Sequence, residues 1–193
     1  MSRLRAVAVN LARESGRSAD VIEYGLKVGL YNLAGIIGVI VVGYALGVFS
    51  AALTAYVASG SLRLASGGGH AATPLRCIVL TSLQFGAIGL VAHYGGPLCA
   101  GLPLVIGSAI VLAWVLYAIL RFAPRDVPNK PINKERGRRL KKWAVIIWCV
   151  WTVLIVWALA GVSAGLILSA LLGLGFQGLS LVPKSRKNQG VRR

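Results

Sequence analysis

Few side chains in this sequence can do chemistry, and the most suggestive fall in one stretch, RLASGGGHAATPLRC, from Arg63 to Cys77. A cysteine acts as a nucleophile when its thiol ionises readily and a base stands within hydrogen-bond reach. Histidine is the side chain suited to take a proton near neutral pH. In one straight helix His70 and Cys77 would share a face but lie ~10.5 Å apart along the axis, too far for a hydrogen bond of about 3 Å. The stretch does not read as a straight helix. Gly67, Gly68 and Gly69 weaken helical structure, and Thr73-Pro74 reads as an N-cap followed by proline at the first helical position. Cys77 is therefore expected in or near the first turn of a new helix, where free N–H groups and the positive end of the dipole favour a thiolate. Arg63 and Arg76 would add positive potential, and the glycine run lets His70 fold back towards the helix start. The bland alternative stays open: Cys77 as a small apolar filler and Arg63 as an interfacial anchor. Only the combination of arginine, glycines, histidine, proline and cysteine raises the chemical reading.

The other candidates carry less. Cys99 and Cys149 lie in apolar runs and read as fillers, and His93 before Tyr94-Gly95-Gly96 reads as a solvated or structural histidine. Three cysteines with no CxxC and no paired histidine suggest neither a metal site nor a disulfide framework, and no cofactor is expected. The basic stretch Arg121–Lys142 contains Arg125, Lys130, Arg136, Arg138 and Arg139, which are candidate contacts for an acidic peptide or for anionic lipid. Its prolines at 124, 128 and 131 suggest an extended connector, and the run from Lys134 to Lys142 reads as the start of a helix held at the lipid surface.

The elements that must position these residues follow from composition and charge. The chain has 193 residues, 56% of them hydrophobic and a further 24 glycine, with 21 Lys+Arg against 5 Asp+Glu and a formal net charge of +16. The apolar residues form long blocks with the charges between them. That distribution belongs to a polytopic membrane protein and argues against a soluble domain, a nucleic-acid binder or a disordered basic tail. Val28–Leu62 alone holds 35 uncharged residues, either one over-long tilted span or two joined near Gly43–Gly47. The next block breaks at His93–Pro97 and the last at Gly161–Gly165. Cations decide the count. They divide as five before Val28, two at Arg63 and Arg76, nine from Arg121 to Lys142 and five from Lys184 on, with none in the three neutral connections. Six spans put every cationic segment on the cytoplasmic side.

The expected fold is therefore all-α: a membrane bundle of about six transmembrane helices plus an N-terminal amphipathic helix. The expected organisation is an amphipathic basic segment at 1–19, a membrane domain at 20–183 and a basic disordered tail at 184–193. The spans are expected near 24–43, 45–63, 74–93, 99–121, 143–160 and 163–182. Leu4, Val7, Ala8, Leu11 and Ala12 share one helical face, which suits an anionic inner leaflet. No apolar run precedes Val28, so a cleavable signal peptide is not expected.

Three blocks make the sequence similar to the accessory gene regulator B (AgrB) family of membrane peptidases: YGLKVGLYNL at Tyr24–Leu33; Arg63…Gly68…His70-Ala71…Cys77, which matches R-x4-G-x-HA-x5-C; and Ala123-Pro124-Arg125-Asp126…Asn129-Lys130-Pro131-Ile132, which resembles AP-x-D-x2-NKPI. The three-glycine run and Arg125 depart from the family pattern. The resemblance implies a cysteine endopeptidase of Gram-positive quorum sensing. Such an enzyme cleaves a short AgrD-type propeptide and helps cyclise its middle segment to a thiolactone or lactone. It implies Cys77 as nucleophile and His70 as general base, with Arg63 and Gly68 as supporting residues, no cofactor, and a homodimer in the cell membrane. Together with the span count, it puts the active site near the cytoplasmic face.

Two other classes compete. A small transporter or channel could use Asn32, Gln84 and Gln177 along a path, although no charged residue lies mid-span as such paths usually require. A non-enzymatic scaffold could recruit an acidic partner through its basic loops. The topology is testable by itself: a cysteine placed at Asn188 should resist a membrane-impermeant thiol reagent added outside intact cells. Ready labelling would refute an inside C-terminus.

Overall fold

The structure is a computed structural model that describes residues 3–16, 18–67, 73–125 and 134–183. The described residues form seven helices, α1 (Arg3–Ser15), α2 (Ala19–Ala45), α3 (Phe49–Ser66), α4 (Pro74–Leu98), α5 (Leu102–Phe122), α6 (Lys134–Ala158) and α7 (Ala164–Leu181), and no strand. By length and apolarity five of these, α2, α4, α5, α6 and α7, can cross a membrane. The fold is thus an all-helical polytopic bundle. The expected tail at 184–193 lies outside the described residues.

The long uncharged block resolves into two helices rather than one tilted span. The break falls at Gly47, whose φ of 69° few residues other than glycine adopt. There the Gly47 N–H donates to the Tyr44 carbonyl (3.0 Å) and the Val48 N–H to the Gly43 carbonyl (2.8 Å), which satisfies the end of α2. The next connection differs from expectation. α4 runs through His93–Gly96 and Pro97 to Leu98, and the chain turns only at Gly101, with φ 82°. Close packing explains the continuation: Gly96 backs directly onto the Gly165 backbone at the start of α7, so this glycine serves helix contact rather than a turn.

α3 occupies the middle of the bundle and packs on α7, α4, α2 and α6. It matches α7 in length, but Ser, Thr and Arg63 lower its apolarity. Its buried positions, Ala51, Ala52, Ala55, Ala58, Ser59, Leu62, Ala65 and Ser66, repeat at helical spacing and are mostly small. Small side chains let neighbouring backbones come close: Gly173 of α7 lies on the Ala55 carbonyl, and a Cβ on Gly89 of α4 would meet the Ala52 nitrogen at 3.1 Å. The expected span at 45–63 thus falls on α3, which is not among the five helices apolar enough to cross a membrane.

Two apolar clusters meet at α3. Leu62, Val115, Ile119, Leu171 and Leu174 belong to the one shared with α5, α6 and α7, and Val39, Ala52, Ala55 and Phe85 form the one shared with α2 and α4. α2 and α4 run in the same direction, because Gly38 faces Ser82 and Gly86 faces Val42. α1 packs on α2 through Ala8, which is fully buried, while Val7 and Leu11 stay exposed beside it. Its apolar face is therefore partly used by the bundle and partly free for lipid.

Gly173 supplies the sharpest test of this packing. Gly173→Val would drive a side chain into rigid Ala55 backbone, and the expected loss of stability is about 1–3 kcal/mol, read as a lower unfolding midpoint in detergent. Gly175→Ala, whose added Cβ would meet Val111 at an ordinary 3.5 Å, should leave the midpoint unchanged.

Candidate active site

Cys77 lies at the start of α4, as the Thr73-Pro74 signal predicts. Pro74 occupies the first helical turn, and the Thr73 hydroxyl oxygen accepts from the Arg76 N–H at 3.4 Å. The Cys77 N–H donates to the Thr73 carbonyl at 3.0 Å, which closes the first turn of the helix. Cys77 is half-buried, Cys99 lies beyond the opposite end of α4, and Cys149 is exposed on α6. Arg63 is half-buried in the last turn of α3.

Tyr56, one residue that sequence reasoning did not single out, packs across the interface between α3 and α4. Its ring stands edge-on to Phe85 of α4, with centroids 5.3 Å apart and planes at 83°. The ring contact ties α3 to α4 about two helical turns along α4 from Cys77. A seven-residue step also puts Tyr56 and Arg63 on one face of α3.

The end of α3 is held by a polar cluster. Gly67 caps the helix with φ 75° and ψ −168°, and its N–H donates to the Arg63 carbonyl at 2.9 Å. Gln177 of α7, only 1% exposed, spends both amide hydrogens here: Nε2 donates to Ser66 Oγ (3.0 Å) and to the Gly67 carbonyl (2.7 Å). Ser66 Oγ gives its own hydrogen to the Leu62 carbonyl at 2.8 Å. Both groups facing the amide are thus acceptors, which fixes its orientation. Arg125 joins from the other side. Its N–H donates to the Ser66 carbonyl at 3.1 Å and its Nη1 to the Ser180 carbonyl at 2.6 Å. The guanidinium is therefore engaged with the end of α7.

The remaining candidates divide by position. His70, Gly68 and Lys130 lie outside the described residues. Arg136, Arg138 and Arg139 are exposed on the first turns of α6, whose Lys141 Nζ donates to the Leu120 carbonyl at 2.5 Å. Among the described residues no cluster of three or more His, Cys, Asp and Glu could hold a metal ion. The side chains considered for a transport path do not line up as one. Asn32 is exposed on α2, Gln84 is half-buried with an unpartnered Nε2, and Gln177 is consumed by the cluster at Gly67. Ser66, Gln177 and Ser180 carried little signal in sequence beyond being polar in apolar runs.

Comparison with known proteins bears on the same segments. The family profile described as Accessory gene regulator B matches residues 4–181, a range that takes in the Arg63–Cys77 stretch, Arg125 and Gln177. The chain belongs to the AgrB family. Among its relatives are two Clostridium perfringens proteins whose names go no further than AgrB-like. One, AgrB-like protein 2 of strain 13, is 28% identical over 134 residues, 68% of this chain and 63% of the relative. The other, from strain SM101, is 25% identical over 174 residues, 84% of this chain and 80% of the relative. The matched part of the chain thus spans less than two thirds of the first relative's length. No solved structure matches the chain.

Gly67 gives this site its own test. An L side chain at φ 75° and ψ −168° is strained, and its Cβ would also meet the Arg125 carbonyl oxygen at 3.1 Å. Gly67→Ala should therefore cost about 1–3 kcal/mol in detergent unfolding, whereas Gly60→Ala, with open space around the added carbon, should not.

Proposed function

We propose that this AgrB-family chain is a membrane cysteine endopeptidase that cleaves an AgrD-type propeptide and promotes its cyclisation. In this reading six helices span the membrane, both termini are cytoplasmic, and the protein works as a homodimer. The observation that carries it is the placement of Cys77 on the first turn of α4, half-buried and closed onto the Thr73 carbonyl. The half-buried thiol of this family's R-x4-G-x-HA-x5-C pattern thus stands at a helix start, where negative charge is favoured. The same end of the bundle holds Arg76, Arg121, Arg125 and the exposed arginines of α6, which suits an acidic peptide or anionic lipid arriving from the cytoplasm.

The chemistry follows from the two reactive groups. His70 takes the proton of the Cys77 thiol, and the thiolate attacks a propeptide carbonyl carbon. The peptide C–N bond breaks, and the departing amine takes the proton from His70. A thioester between Cys77 and the N-terminal fragment remains. A cysteine thiol or serine hydroxyl within that fragment then attacks the thioester, passing its proton through His70 to the leaving Cys77 sulfur. The ring closes as a thiolactone or lactone and Cys77 is free again. The thioester keeps the acyl group activated, so closure needs no outside energy source. It must outrun hydrolysis, which calls for a site that excludes water and holds the peptide folded. Arg63 and Gly68 support the segment that carries the pair.

Propeptide cleavage by the wild type, Cys77→Ala and His70→Ala tests the reading. Cleavage should fall on the order of 10³-fold or more in either variant, and a thioester-linked fragment should be detectable by mass only where Cys77 is present. Full cleavage by Cys77→Ala would refute the mechanism, and an inert wild type given its own propeptide would favour the scaffold reading.

A further inference from the structure

Gln84 of α4 carries an amide that the fold does not satisfy. The residue as a whole is half-buried, but its Nε2 is buried and meets no acceptor among the described residues. Comparable groups on the membrane helices are answered. Ser82, two residues earlier, donates to the Ile78 carbonyl at 2.9 Å, and Ser108 to the Leu104 carbonyl at 2.7 Å. The other amide inside the bundle, that of Gln177, spends its hydrogens on Ser66 and Gly67. A buried N–H without a partner is costly, and more so where hydrocarbon surrounds the protein. In a native fold such a group calls for a specific role.

The position of Gln84 on α4 supplies that role. It follows Cys77 by seven residues, close to two full turns, so the two share one helical face ~10.5 Å apart along the axis. Thr81, four residues after Cys77, lies between them on the same face. All three are half-buried, and they form a polar stripe on a segment otherwise built of Ile78, Val79, Leu80 and Leu83. The other sides of this segment are in use. Ser82 and Gly86 face Gly38 and Val42 of α2, and Phe85 meets Tyr56 of α3. The stripe's face continues along α4 to Gly95, where α7 covers it: a Cβ there would meet Leu168 at 3.6 Å, and Gly96 beside it backs onto Gly165. At the Cys77 end of the bundle, α7 is engaged with the end of α3 through Gln177.

We infer that Gln84 is a substrate-binding residue: its amide donates to a backbone carbonyl of the propeptide while the scissile carbonyl lies at Cys77. An extended peptide rises about 3.3 Å per residue, so it covers the interval from Cys77 to Gln84 in about three residues. Helical side chains also lean towards the helix N-terminus, which brings the amide nearer to the thiol. The carbonyl therefore belongs to one of the three residues before the scissile one. It lies on the acyl side because that fragment must stay seated until its own nucleophile closes the ring, whereas the amine fragment leaves. Without peptide the amide rests inward, and the half-buried side chain turns it to the carbonyl when the peptide lies along α4. The inference rests on the peptidase reading above for the role of Cys77, and the experiment separates the two.

The experiment uses the full-length protein in detergent and the propeptide of the cleavage assay, made synthetically with a fluorophore at its N-terminus. Kd for the uncleaved propeptide is measured by fluorescence anisotropy on Cys77→Ala and on Cys77→Ala/Gln84→Leu, and kcat and KM on the wild type and Gln84→Leu. Leucine is apolar, of similar bulk, and carries no donor. If Gln84 binds the substrate, Gln84→Leu raises Kd and KM by about 10-fold, with kcat within about twofold. The unfolding midpoint stays level or rises, because the unpartnered N–H is gone. Three further propeptides each carry an ester in place of one of the three peptide bonds before the scissile bond, which weakens that carbonyl as an acceptor. One ester should weaken binding to Cys77→Ala and cost nothing further once Gln84 is leucine. A Kd within about twofold after Gln84→Leu, a lowered midpoint accompanying the weaker binding, or ester losses that simply add to that of Gln84→Leu at every position overturns the inference. If Cys77→Ala cleaves as the wild type does, the peptidase reading fails instead, and the Kd comparison still reports on Gln84. Should Gln84→Leu not fold, Gln84→Met, which keeps the side-chain length without the donor, is read against the same criteria.

Discussion

Hydrocarbon offers no partner to a hydroxyl or a guanidinium, and α3 brings five Ser and Thr side chains together with Arg63 along 18 residues. That mismatch organises the bundle. Some of the hydroxyls turn back onto their own helix, as Thr54 does to the Ser50 carbonyl (2.8 Å) and Ser61 to the Ala58 carbonyl (3.0 Å). Others recruit neighbours: Trp151 of α6 donates to Ser61 Oγ at 2.9 Å, and Gln177 of α7 to Ser66 Oγ. The remaining surface is small enough for α7 and α4 to approach backbone to backbone, through Gly173 and Gly89. Close approach and polar pairing reinforce each other, since a bulkier α3 would push its partners out of hydrogen-bond range.

The same arrangement explains how two sequence blocks far apart in the chain come together. The end of α3 leads towards His70, and the end of α5 leads into the Pro-rich stretch. Nothing in the linear order joins them. In the fold, the Arg125 N–H meets the Ser66 carbonyl and the Arg125 side chain meets the end of α7. The arginine within the AP-x-D block is therefore bonded on both its backbone and its side chain. Its charge is spent on a helix C-terminus, where cations are favoured.

Sequence carried the fold well wherever local chemistry decides local structure. Charge blocks and apolar lengths gave an all-helical membrane bundle, and Thr73-Pro74 placed the start of α4. It misled at His93–Pro97, where Gly and Pro read as a turn but Gly96 serves contact with Gly165, a partner that no local pattern reveals. The candidate site was legible only in part. Residue type and spacing singled out Cys77 and Arg63, and the Thr73-Pro74 signal put Cys77 in the turn where the structure has it. Gln177 and Tyr56 stood out less, because each is defined by what it faces: a carbonyl on another helix, and the Phe85 ring across the α3–α4 interface. An amide in an apolar run reads equally well as a structural donor or as part of a path, and only the fold chooses.

One consequence concerns how such a chain can change over time. Cys77 holds its place by counting from Thr73, within the first turn of α4. Each residue added or removed between them would swing the thiol about 100° around the helix and shift it about 1.5 Å in depth. Away from the thiol, a substitution on α4 alters packing a little at a time. A single insertion in that first turn would instead aim the thiol at a different neighbour. This short interval should therefore tolerate new side chains far more readily than any change in length.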